Sequence, residues 1–136
     1  MKIRFTKIAI SLFLIIAYKV CFTQTLSMED FKILIDGKNY QDSTIKKVDL
    51  LKAKNLNSNF SWLTIDRFTV YVTSLLGSGI TDPSIIICTG SMICNDAKAL
   101  FEKFGKKSLV VIIANEATNK QGVNLPMKDL SFFVVE

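Results

Sequence analysis

The 136-residue chain carries 17 Lys plus Arg, 12 Asp plus Glu and no histidine, and 49% of it is apolar. Without histidine it has no Ser-His-Asp or Cys-His catalytic arrangement and no His-bearing metal site, which removes the commonest hydrolase and zinc designs. The formal charge of +5 is concentrated at the start, in Lys2, Arg4, Lys7 and Lys19; from Gln24 onward 13 basic residues meet 12 acidic ones, so the electrostatic footprint of a nucleic-acid binder is missing.

Lys2, Arg4 and Lys7 precede an apolar run over residues 8–18, and Cys21 and Thr23 stand at the minus-three and minus-one positions before Gln24. This order predicts a secretory signal peptide over residues 1–23, cleaved between Thr23 and Gln24. At eleven residues the run is too short for a membrane anchor, which needs ~20, and Lys19 stops its extension. Tyr18, Lys19 and Val20 lack the small and leucine-like side chains that would direct lipid to Cys21. Residues 24–136 have the usual size of one extracytoplasmic domain.

Residues 31–35 read as a short strand ending at the turn dipeptide Asp36-Gly37. A helix follows over residues 45–53, with Ile45, Val48, Leu51 and Leu50 on one face and Ser43 or Thr44 as its cap. Residues 55–59 are polar and turn-rich, and residues 60–65 alternate loosely. Residues 67–75 alternate strictly, Phe68, Val70 and Val72 against Thr69, Tyr71 and Thr73, as suits a sheet with one buried face. Gly77, Ser78, Gly79, Asp82 and Pro83 punctuate a loop, and residues 84–88 read as a wholly apolar core strand. A second helix is predicted over residues 95–104, capped by Asn95 or Asp96, with Ala97, Leu100, Phe101 and Phe104 as its stripe and Gly105 as its stop. Strands over residues 108–114 and 130–135, with a loop tip at 118–122, complete the pattern. The fold class is therefore α+β, mainly antiparallel β in a sheet or sandwich of about six strands, with two short helices.

Once the signal is removed two cysteines remain, Cys88 and Cys94. A bridge between them would contribute about 2 to 2.5 kcal/mol on the chain-entropy model, while two buried thiols would pack as small hydrophobes; the spacing alone leaves both open. Cys94 before a helix is also a nucleophile candidate, without a visible partner base. Asp66, Asp82, Asp96, Glu102, Glu116 and Asp129 offer carboxylates, but no spacing singles out a glycosidase pair. The Gly77-Ser78-Gly79 stretch is too short for a phosphate loop. Trp62, Tyr71 and Phe68 form a candidate stacking platform, set against core packing for Phe68 and partly covered sheet for Tyr71. Arg67, the sole arginine after the signal, is read either as an anchor for an acidic partner or as a charge guarding a sheet edge.

The order of features from Ile45-Lys46-Lys47, through the strand Arg67-Phe68-Thr69-Val70-Tyr71-Val72 and Gly90, to Leu109-Val110-Val111-Ile112, Gly122 and Leu130-Ser131-Phe132-Phe133-Val134-Val135 resembles the periplasmic C-terminal β-domain of the GldM family, motor-stalk proteins of gliding motility and type IX secretion. The resemblance implies a β-rich module without chemistry of its own, working by protein contact. Unlike that family, this sequence is read as a signal peptide and one domain without the stalk, an expectation that speaks for a shared module rather than a motor role. The triplet Asp42-Ser43-Thr44 also resembles the O-glycosylation acceptor of bacteria with type IX secretion, although a helix cap explains it more simply. Asn59-Phe60-Ser61 matches the eukaryotic N-glycosylation acceptor, with nothing else in support.

The expectation from the sequence is an exported, non-enzymatic protein-interaction module, periplasmic or secreted, with Arg67, Tyr71 and Trp62 on its contact surface. Its partner would be a protein of the cell envelope; no cofactor, metal, nucleic acid or lasting membrane span is expected. Two other classes make distinct predictions. A small ligand-binding protein would have an apolar void between the sheet and the 95–104 helix. An enzyme would bring two carboxylates, or Cys94 and a base, together in a pocket.

Overall fold

The computed structural model describes residues 27–75, 83–104 and 107–136. The expected signal peptide and cleavage site, the loop expected at Gly77-Ser78-Gly79 and Asp82, and the helix stop expected at Gly105 lie outside the described residues. After a 3-10 turn at Met28–Asp30 come β1 (Ile33–Ile35), β2 (Ser43–Lys46), α1 (Lys47–Lys52), β3 (Leu56–Ser58), β4 (Thr64–Ser74), β5 (Ser84–Thr89), α2 (Asn95–Lys103), β6 (Ser108–Thr118) and β7 (Leu130–Val135). The fold is α+β and mainly antiparallel. β1 and β3 form a two-stranded ribbon, and the other strands form one sheet in the order β2-β7-β6-β4-β5. Among the named strands of the described residues only the β2–β7 pair is parallel, and an isolated bridge between Lys32 and Lys128 is parallel too.

One face of the five-stranded sheet supports the core. Phe68, Val70 and Val72 of β4, Val110 and Ile112 of β6, and Leu130 and Phe132 of β7 are all buried there. Leu50 of α1, Ala97, Leu100 and Phe101 of α2, and Ile33, Ile35 and Leu56 of the ribbon belong to the same core. Both helices and the ribbon therefore serve one side of the sheet.

The central strands carry two compensating irregularities. Ile65 pairs with Ala117, Arg67 with Glu116, and Phe68 with Ala114, so Asp66 on β4 and Asn115 on β6 are each passed over. A bulge inverts the in-out alternation beyond it. Ile65 and Phe68, three positions apart, thus both point into the core. This joins the loose and strict alternations of the sequence into a single strand of 11 residues. It also places Arg67 on a central strand, which removes the edge-guarding account of this residue.

Several local expectations change. Residues 43–46 extend along β7, with Ile45 opposite Val134, instead of opening a helix. The sheet satisfies their backbone and buries Ile45, leaving α1 only six residues, with Lys46 as N-cap and no side-chain cap. The shift of start turns Val48 outward, 59% exposed, and buries Leu50 completely. The polar stretch expected as a turn contains β3, whose neighbours are tied down by amide side chains: Asn57 Oδ1 accepts from Gly37 N–H at 3.1 Å and Asn59 Oδ1 from Lys32 N–H at 2.8 Å. The turn lies instead at residues 59–62, so that it takes the first three residues of the loosely alternating stretch 60–65 expected as strand.

Asp36 and Gly37 do form the tight turn, with φ of 47° and 78°, and Ile35 and Lys38 exchange backbone hydrogen bonds of 2.9 Å across it. The second helix ends at Lys103, with Phe104 as its cap. Its N-cap is Cys94 rather than Asn95 or Asp96, because a disulfide to Cys88 on β5 fixes the start of the helix.

Candidate interaction surface

The side of the sheet opposite the core has no helix or ribbon over it among the described residues. Its composition follows from the register. Tyr71 lies between Ile85 and Val111, Thr69 between Ile87 and Ile113, and Thr73 beside Leu109, which itself faces Phe133. Phe133 in turn lies beside Thr44 of β2. Three cross-strand rows result, in which Ile85, Ile87, Tyr71, Leu109, Val111, Ile113 and Phe133 are flanked by Thr69, Thr73, Thr44 and Ser131. Ile85, Ile87 and Phe133 are 53%, 54% and 42% exposed, and Tyr71, Leu109, Val111 and Ile113 are half-buried by their neighbours.

Charge is confined to the rim of this face, including Asp42, which accepts from Ser131 Oγ at 3.2 Å at the β7 end of the Tyr71 row. At one end Arg67 Nη1 meets Glu116 Oε1 at 3.5 Å, and both side chains are about half exposed, so the pair adds little to stability. Beside it Thr118 Oγ1 donates to Asp66 Oδ2 at 2.6 Å, and Thr69 Oγ1 donates to Asn115 Oδ1 at 2.6 Å. Both bulged residues thus serve as acceptors that hold the polar end in place. At the opposite corner stands Lys46, next to Val135. An apolar centre with a polar rim is the anatomy of a protein-protein contact.

Of the three residues expected on a contact surface, Arg67 and Tyr71 share the open face of β4. Trp62 stands apart, its ring 5.9 Å from Phe31 and 5.2 Å from Phe60 in an aromatic cluster ahead of β4. Phe68 is fully buried and takes no part in a stacking platform. The residues that dominate the face, Ile85, Ile87, Ile113 and Phe133, were not singled out from the sequence, where residues 84–88 read as core. A signal for them does exist. In an antiparallel sheet with one wet face, strands alternate apolar and polar; here Ile85-Ile86-Ile87, Leu109-Val110-Val111-Ile112-Ile113 and Phe132-Phe133-Val134-Val135 are apolar on both faces.

The remaining groups are arranged for structure. Cys88 and Cys94 form a disulfide with Cα atoms 5.6 Å apart, which leaves Cys94 no thiol for a nucleophile. A surface pocket of about 260 Å³ beside α1 includes Asp36 and Asp49, but the Asp36 carboxylate accepts backbone N–H bonds from Lys54 and Asn55 and so anchors the turn. Lys128, on the surface near the N-terminal turn, has its pKa raised by a hydrogen bond to Glu29 and by that carboxylate's charge; the two atoms are 2.8 Å apart. Among the described residues no cluster of three or more Cys, Asp or Glu is placed to hold a metal, and no helix is long and apolar enough to cross a membrane. No family model, curated protein or solved structure matches this chain.

Proposed function

We propose that this chain is an exported, non-enzymatic interaction module that docks onto a protein of a cell envelope through the open face of its five-stranded sheet. One observation carries the reading: three of the five strands of the sheet, β5, β6 and β7, carry apolar residues on both faces, while the helices and ribbon occupy only one side among the described residues. Leaving Ile85, Ile87 and Phe133 about half exposed forgoes roughly half of the ~1.5–3 kcal/mol that full burial of a large apolar side chain is worth, and a contiguous apolar patch supports an interaction site.

Export is supported by the charged and apolar order of residues 1–23 and by the Cys88–Cys94 bridge, since such bonds persist in oxidising compartments. The resemblance to the GldM C-terminal β-domain supports an accessory role in a secretion or gliding assembly, by analogy of pattern. The test is affinity capture from envelope extract of the native cells, comparing the wild-type chain with Phe133→Lys. The reading expects an envelope protein enriched by the wild type and lost with the variant. Equal capture by both, or none by either, would contradict it.

A further inference from the structure

β5 is the outermost strand on one side of the five-stranded sheet and β2 on the other. Their chemistry differs. β2 reads Ser-Thr-Ile-Lys and continues into Lys47, so charges stand at its end, a common device against unwanted strand addition. β5 reads Ser-Ile-Ile-Ile-Cys-Thr and pairs with β4 without a break in register. It has no charge, bulge or internal proline to guard it.

The ladder identifies its free backbone groups. Gly90 N–H donates to Asp66 C=O at 2.6 Å, continuing the register in which Cys88 meets Phe68 and Ile86 meets Val70. Hydrogen-bonded and non-bonded pairs alternate along an antiparallel ladder. Ser84, Ile86 and Cys88 therefore turn their N–H and C=O groups toward β4, and Ile85 and Ile87 turn theirs outward. The other side of β4 agrees: Leu75, of the opposite parity, donates to Lys107 at the start of β6. Among the described residues no backbone group bonds to the outward amides of Ile85 and Ile87.

We propose that β5 is a strand-addition edge whose occupant is a second copy of this chain, the two β5 strands running antiparallel about a two-fold axis at Ile86. In this register Ile85 of one copy lies opposite Ile87 of the other, and each such pair exchanges both of its N–H···O bonds. The strand complements itself. It brings no like charges together, and from Gln24 onward 13 basic against 12 acidic residues leave little net repulsion between copies. Pairing also sets the exposed Ile85 and Ile87 rows of the two copies side by side, so the two five-stranded sheets continue as one. The inference uses the edge of the sheet and goes beyond the docking reading, which uses its face.

The test is sedimentation equilibrium of the protein expressed from its full 136-residue sequence, in the form its host delivers. Three variants accompany it: Ile87→Pro, which removes an outward N–H and leaves the β4–β5 ladder bonds in place; Ile85→Lys, which adds the missing charge; and Phe133→Lys, which alters the face away from this edge. The expected result is a dimer for the wild type and Phe133→Lys and a monomer for the two β5 variants. Hydrogen exchange on the wild type adds a readout independent of the variants' folding: the Ile85 and Ile87 amides gain protection as concentration rises. A wild-type monomer, or a dimer that survives Ile87→Pro and dissolves with Phe133→Lys, would overturn the proposal.

Discussion

Asp66 on β4 and Asn115 on β6 are each skipped in the pairing of the two central strands, and the two displacements cancel. The compensation lets Ile65 and Phe68 share the core face and gives the polar end of the open face its acceptors. It also couples a surface residue to a buried hydroxyl, because Thr69, 5% exposed, is satisfied by Asn115 at 2.6 Å.

The first prediction uses that asymmetry. Asn115→Ala leaves the Thr69 hydroxyl without its acceptor and is expected to cost ~1–2 kcal/mol, whereas Thr69→Val leaves Asn115 free to bond water and should cost about 0.5 kcal/mol or less. Urea denaturation of the two variants measures the difference, and equal losses would argue that this bond does not satisfy Thr69.

The limits of the sequence are visible at the same place. The alternation of Phe68, Val70 and Val72 is legible because a strand of period two imposes it on the residues themselves. The joining of two out-of-phase halves at Asp66 is a property of the pairing with β6, and one strand's pattern carries no trace of its partner's skipped residue. Ile45, Val48 and Leu51 have helical spacing, yet Ile45 goes to a strand because β7 offers it a ladder and a buried site; tertiary context overrides local preference. Residues 55–59 misled in the opposite direction, since Asn57 and Asn59 spend their side chains on the backbones of Gly37 and Lys32 rather than on a local turn. The face beyond Tyr71 was legible only by asking why β5 and β6 fail to alternate.

A second prediction separates the two sides of the sheet. Phe68→Ala or Phe132→Ala removes a fully buried ring and is expected to lose about 3–5 kcal/mol, enough to unfold a domain of marginal stability. Phe133→Lys on the open side should stay within about 0.5 kcal/mol of wild type. Thermal melts followed by circular dichroism distinguish these outcomes; a large loss for Phe133→Lys would mean that the open face is packed within the chain itself.

The disulfide supplies a third. Closing a loop between residues six apart, it should stabilise the domain by about 2 kcal/mol on the chain-entropy model. The midpoint of denaturation should therefore fall on adding reductant and match that of the Cys88→Ala, Cys94→Ala double variant. Insensitivity to reductant would place the two sulfurs in unbonded form.

The turn at Asp36 and Gly37 gives a fourth. Gly37 has φ of 78°, and a Cβ added there would meet nothing within 4 Å, so the cost of substitution is conformational. Gly37→Val should cost on the order of 1–3 kcal/mol through backbone strain alone. Denaturation measures it; a variant as stable as wild type would show that the Ile35–Lys38 turn relaxes without penalty.

The central claim, docking of an exported domain through its open face, is tested most directly by photo-crosslinking in the native cells. A photoreactive residue is placed in the full chain at Ile113 on the open face, and separately at Val48, which is exposed on α1. The account predicts that the Ile113 probe forms an adduct with an envelope protein and that the Val48 probe does not. Adducts from Val48 alone, or adducts only with cytoplasmic proteins, would contradict it.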